Sequence, residues 1–170
     1  MKKIMFGTCL NEEIINQDFK YVKSLIEEKG MDYWGAGSGQ SVLKYEDTDI
    51  KSTMYIMMAE GYGFYLEYFN NASYYIPIFG DDYNDVTEIY VGGDPILVPR
   101  AFFLDIKNTV TQVKEFFNCG KVANNVKWIK RSEVNWQYGI KSTTIEGDKQ
   151  KFTSIDELVL ANRRRRIKKS

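Results

Sequence analysis

Residues 53–79 read TMYIMMAEGYGFYLEYFNNASYYIPIF, and the alternation in this stretch decides the fold. Three runs rich in aromatic and branched side chains, 53–59, 64–69 and 74–79, are separated by short turns built on Gly and Asn. Successive side chains of a strand point to opposite faces, so the rings of residues 64–69 are expected to stack across strands on both faces of a sheet. Working outward, residues 42–45 and 87–91 continue the series, and the short spacing predicts antiparallel hairpins.

Helical spacing takes over on either side. Phe19, Val22, Leu25 and Ile26 recur on one face of residues 16–29, with Gly30 as the stop. Ile106, Val110, Val113, Phe116 and Phe117 do the same between Pro99 and Gly120. Short strands at 4–8, 126–129 and 135–140 and a short helix at 155–160 complete the expected elements. The predicted class is α+β, a largely antiparallel sheet packed against two main helices. It occupies one globular domain over residues 1–162, followed by a basic, flexible tail at 163–170.

Composition bounds the chemistry. A chain of 170 residues that is 44% hydrophobic can bury one sizeable core and is short for two. It holds no histidine, which removes histidine-based zinc sites and Ser-His or Cys-His nucleophile pairs. Cys9 and Cys119 lack a CxxC spacing and read as reduced core residues. No apolar run approaches the ~20 residues that a bilayer needs, and residues 1–7 lack the pattern of a signal peptide, so a cytoplasmic protein is expected. For the same reason the Asn71-Ala72-Ser73 sequon is read as unused. Residues 1–99 carry 7 Lys/Arg against 16 Asp/Glu, and residues 100–170 carry 16 against 7, so a net charge of zero conceals a polarised chain.

Several motifs invite sharper readings. The glycine-rich stretch at 35–39 lacks the third glycine of a dinucleotide loop and any Gly-Lys-Ser/Thr, so a plain flexible loop is the better reading. Asp81, Asp82 and Asp85 with Glu88 have a calcium-loop composition, but the fifth position is Val86 and the turn glycine is missing. The cluster reads as a solvated hairpin turn or, more sharply, as an acidic plug for a cationic pocket. The run from Arg163 to Lys169 has no recognition motif beside it and reads as a solvated tail, which argues against direct nucleic-acid binding. Trp34, Trp128 and Trp136 read as largely buried, Trp128 as core.

One ordered constellation is familiar. Gly92 and Gly93 are followed by Val98 and Pro99, then by an amphipathic helix ending at Gly120, then by Trp128. It resembles the founding Imm family of immunity proteins from bacterial polymorphic-toxin and contact-dependent growth inhibition systems. The pattern of that family is a Gly-Gly turn, a Val-Pro shortly after, an amphipathic helix ending near a Gly, and a Trp on the next strand. The match covers about residues 88–130, and the four-arginine tail stands outside it. Gly92, Gly93, Val98, Pro99, Gly120 and Trp128 would be scaffold residues that mark the fold. The resemblance implies a cytosolic antidote whose partner is a cognate toxin domain, a nuclease or a deaminase-like enzyme.

The functional expectation is therefore a binding protein and not an enzyme, with no cofactor and no metal. Its toxin-contacting candidates are the acidic residues Asp81, Asp82, Asp85 and Glu88, with Tyr62, Tyr74, Tyr75 and Tyr83 as aromatic anchors. Two other readings compete with it: a nucleic-acid-binding accessory protein that uses the basic tail, and an enzyme built on a buried carboxylate of strongly raised pKa in a concave pocket. Exposed aromatic sheet edges leave room for a homodimer.

Overall fold

The register of the long strands creates two cores, one on each side of a sheet. The computed structural model describes residues 2–10, 13–134 and Asp156. Strands β3 (Ser41–Glu46), β4 (Lys51–Ala59), β5 (Gly63–Asn70) and β6 (Ser73–Ile78) form the antiparallel meander expected from residues 53–79. On one side β1 (Lys3–Gly7) pairs with β3 and carries β2 (Glu13–Ile15) beyond it; on the other β10 (Lys127–Lys130) pairs with β6. A two-residue strand, β9 (Phe103–Leu104), pairs with the start of β5. Two main helices, α1 (Phe19–Glu28) and α3 (Ile106–Cys119), pack on this sheet, and the one-turn helix α2 (Met31–Trp34) follows α1. The architecture is α+β.

Side-chain parity sorts the two cores. Met54 and Ile56 of β4 and Phe64, Leu66 and Tyr68 of β5 face the helices and meet Val22, Ile26, Trp34, Val113 and Phe116. Met57, Ala59, Tyr65 and Ile76 lie on the opposite face. There they are covered by a separate two-stranded hairpin, β7 (Val86–Val91) and β8 (Asp94–Pro99), through Ile89, Ile96 and Val98. The stacking expected on both faces is present: Tyr68 meets Tyr75 and Trp128 on the helix side, and Phe69 meets Tyr74 on the other at 4.7 Å between ring centroids.

Caps set the helix limits. Asp18 accepts from the Lys20 N–H at 3.0 Å, and Asn16 has φ of 58°, so α1 starts three residues later than the periodicity suggests. Asp105 accepts from the Asn108 N–H at 2.7 Å and opens α3; Gly120, with φ of 69°, closes it as predicted. Ile106 departs from the expected apolar face and is exposed. Gln112 is buried in its stead, donating to Asn125 Oδ1 at 2.8 Å and accepting from the Ala123 N–H at 2.7 Å. Apolar counting cannot anticipate a satisfied buried amide.

Strand β8 is a strand that the alternation does not predict, because it contains Pro95 and Pro99. A two-stranded hairpin consists of edge strands, where proline is tolerated. The glycine-rich stretch is not a loose loop: the Ser38 N–H donates to the Cys9 carbonyl at 3.1 Å, and a Cβ on Gly37 would lie 2.2 Å from that oxygen. The expected strand at 135–140, Trp136, the expected helix at 155–160 apart from Asp156, and the basic run from Arg163 to Lys169 lie outside the described residues.

The β5–β6 turn yields a first prediction. Asn71 and Ala72 both take positive φ, 48° and 57°, as a two-residue primed hairpin turn requires. Alanine in that region costs about 1–2 kcal/mol, and the entropy of an added glycine returns roughly half of it. Ala72→Gly is therefore expected to stabilise the fold by about 0.5–1 kcal/mol in urea unfolding; a loss of stability would contradict this turn.

Candidate partner-binding surface

The acidic residues sit where β6 hands over to the β7–β8 hairpin. This connection is a crossover between two sheets and not the hairpin turn expected, because among the described residues β7 pairs only with β8. Asp82 organises it: its carboxylate accepts from the N–H groups of Asn84 at 3.1 Å and Asp85 at 2.9 Å, and its carbonyl accepts from the Ala101 N–H at 2.9 Å. Asp81 and Asp82 remain exposed.

Asp85 closes a clasp. Its carboxylate accepts from Arg100 Nε at 2.7 Å and from the Tyr62 hydroxyl, while the Arg100 guanidinium lies 4.1 Å from the centroid of the Tyr62 ring. Arg100 also donates to the Gly61 carbonyl at 3.3 Å, so the β4–β5 turn, the acidic crossover and the end of β8 are tied together. The Arg100 guanidinium, and after it the Tyr62 hydroxyl, hold the Asp85 carboxyl below its ordinary range; the bond to Asp85 pushes the Tyr62 hydroxyl up. Removing Arg100 with Arg100→Ala is expected to raise the pH at which Asp85 titrates, read by carboxyl NMR. An unchanged titration would show that the clasp does not hold in solution.

The sequence candidates separate into groups. Tyr62, Asp81, Asp82 and Asp85 come together at the base of the hairpin. Tyr83 sits among them in sequence, but at 3% exposure it is a core residue packed against Phe102, with its hydroxyl turned to the Gly80 carbonyl, so it cannot serve as an exposed anchor. Tyr75 faces the helix side and packs against the first core. Tyr74, its neighbour on β6, points the other way and stands beside Phe69, Tyr55 and Arg131, away from the acidic crossover. Strand parity makes it impossible for Tyr74 and Tyr75 to share one surface.

Glu88 lies on the outer face of the hairpin, and with it stands Tyr90, a residue the sequence reading passed over. Tyr90 is 50% exposed, and a hydrogen bond to Glu88 pushes its hydroxyl up. The signal was available: Ile89 and Ile96 pair across the hairpin facing inward, which forces Glu88 and Tyr90 outward. The scaffold candidates take the places their chemistry requires. Gly92 and Gly93, with φ of 61° and 91°, make the β7–β8 turn; Val98 and Pro99 are buried; Trp128 is half-buried on β10 against Tyr68.

A buried carboxylate exists elsewhere. Glu67 on β5 is 2% exposed and is held by Arg131 at 3.2 Å and by the Tyr65 hydroxyl at 2.9 Å. Burial pushes its carboxyl above the ordinary range, with the Arg131 cation and the Tyr65 hydroxyl pulling it back. Glu67 lines neither of the two clefts described for this fold, one of about 520 Å³ beside the tip of the hairpin and one of about 310 Å³ beside Tyr74 and Arg131. Among the described residues no group of three His, Cys, Asp or Glu side chains could hold a metal ion, and no helix is long and apolar enough to cross a membrane. Comparison of the chain with protein-family models, curated proteins and solved structures finds no match.

Proposed function

We propose that the protein is an immunity protein: it acts in the cytoplasm, binds the C-terminal toxin domain of a contact-dependent inhibition or polymorphic-toxin effector, and blocks that domain's active site or substrate entrance. One observation carries this reading. Gly92 and Gly93 form the turn between β7 and β8, Val98 and Pro99 end β8, Gly120 stops α3 and Trp128 lies on β10, the local roles that the resemblance implies for these residues.

Electrostatics supplies the mode of action. A toxin that handles nucleic acid presents a cationic pocket, and carboxylates on a pinned crossover complement it without first having to be ordered. Asp81, Asp82 and Glu88 provide the charge, Tyr62 and Tyr90 the aromatic area, and the Arg100 clasp holds the crossover in place. The test is stopped-flow association of the chain with its proposed partner, a cognate toxin domain. Asp81→Lys with Glu88→Lys, both on exposed side chains, is expected to slow association about tenfold or more at low salt, with the difference shrinking as salt is added. Equal rates at every salt concentration would exclude this surface.

A further inference from the structure

Among the described residues Glu67 is the only charged side chain in a buried position, and the proposed binding surface makes no use of it. It stands on β5 directly across from Tyr55 of β4. The groups that face it are the Tyr65 hydroxyl on its own strand, Tyr55 with the Tyr74 hydroxyl bonded to it, and the Arg131 guanidinium. Arg131 opens the short 3-10 helix Arg131–Glu133 that follows β10, and one of its nitrogens lies 3.2 Å and 3.3 Å from the two carboxylate oxygens. The pair therefore fastens the end of an edge strand to the middle of the sheet.

Stability alone does not call for a charge here. Replacing a buried ion pair by well-packed apolar side chains of similar volume is often neutral or stabilising, because the desolvation of two ions offsets their attraction. What a carboxylate adds, and an apolar side chain lacks, is a response to protonation. A second resting place for its partner is also present. The Arg131 side chain is 30% exposed and lines the cleft of about 310 Å³ together with Ser73, Tyr74 and Ser132. Its guanidinium carbon lies 6.0 Å from the centroid of the Tyr74 ring. A guanidinium that leaves Glu67 thus has room and an aromatic face within its own reach.

We infer that Glu67 and Arg131 form a latch released by acid: with Glu67 ionised the guanidinium sits on it and fastens the end of β10 to β5, and with Glu67 protonated the guanidinium turns out over Tyr74 into the cleft, leaving residues 127–134 held by the β6 ladder and by buried Val134. The sign follows from linkage. Arg131 lowers the affinity of Glu67 for its proton, so the closed latch binds that proton less tightly than the open one, and falling pH favours the open one. Burial of Glu67 pushes the other way and is common to both positions of Arg131, so it helps to set where the latch works and not its direction. Tyr65 and Tyr55 keep their protons throughout, because burial pushes both hydroxyls up. The inference goes beyond the immunity reading and stands without it.

The experiment is an NMR titration of the full chain with two readings at each pH: the carboxyl carbon of Glu67, and the hydrogen-exchange protection of the amides of residues 127–134 relative to those of β4, so that a change in global stability cancels. The expected result is a fall in that ratio of about fivefold or more as pH is lowered, with the same midpoint as the uptake of the Glu67 proton. Glu67→Gln, which is neutral at every pH, is expected to show the low ratio throughout. Should Glu67→Gln not fold, the two midpoints of the unsubstituted chain decide by themselves. A ratio that stays constant while Glu67 titrates, a fall with a different midpoint, or a folded Glu67→Gln chain that keeps the original pH profile would overturn the latch.

Discussion

Gly120→Ala is expected to cost the fold about 2–4 kcal/mol and to lower its melting temperature by roughly 10 °C. Two independent penalties combine. Gly120 has φ of 69°, where alanine costs about 1–2 kcal/mol, and an added Cβ would lie 2.5 Å from Cδ1 of Tyr45. That ring cannot step aside: it packs edge-on against Phe116 and its hydroxyl donates to Asp47 at 2.9 Å. The helix end cannot retreat either, because the Gly120 carbonyl accepts from Ser52 at 2.6 Å and from Tyr68 at 3.1 Å. Urea unfolding measures the loss, and a change under about 1 kcal/mol would contradict the packing of α3 on the sheet.

Arg131→Met is the second large effect, a loss of about 3 kcal/mol near pH 7, at the lower end of the range for stranding one partner of a buried ion pair. Glu67 is 2% exposed, and Arg131 is the cation that compensates it. The loss depends on pH with a definite sign. Burial already holds the Glu67 carboxyl above its ordinary range, so the folded chain binds this proton more tightly than the unfolded chain; that contribution is full below the unfolded pKa and is lost as pH rises through the folded one. Removing Arg131 takes away a lowering influence, the folded pKa climbs further, and the deficit of the variant shrinks as pH falls through the raised folded pKa. Adding Glu67→Gln to Arg131→Met is expected to recover most of the stability at neutral pH. A deficit that does not vary with pH would mean that Glu67 is not the group stranded.

The central sheet was legible because its signal is local. Alternation at residues 53–79 and the glycine stop at 120 are readable without knowledge of distant residues, and both appear where they were read. What was not legible depended on pairing across the chain. Glu67 looks like the solvent side of a strand until Arg131, 64 residues away, is brought over it. Tyr83 looks like an anchor on an acidic turn until Phe102 covers it. The clasp of Tyr62, Asp85 and Arg100 joins three connections with no common motif, and the cleft beside the hairpin tip needs β1, β3, the glycine-rich loop and the hairpin tip at once. Of the surface residues, Glu88 and Tyr90 were within reach, because inward-facing Ile89 between them dictates their direction.

Neutralisation through a docked surface is the claim on which the functional account stands, and growth measures it directly. The proposed partner, a cognate toxin domain, is expressed from an inducible promoter with and without the chain, and the two proteins are then sought together by affinity purification. The account predicts that growth is restored and a stable complex recovered, with both effects weakened by Asp81→Lys and Glu88→Lys. Cells that stop growing despite ample folded chain, with no complex recovered, would contradict it.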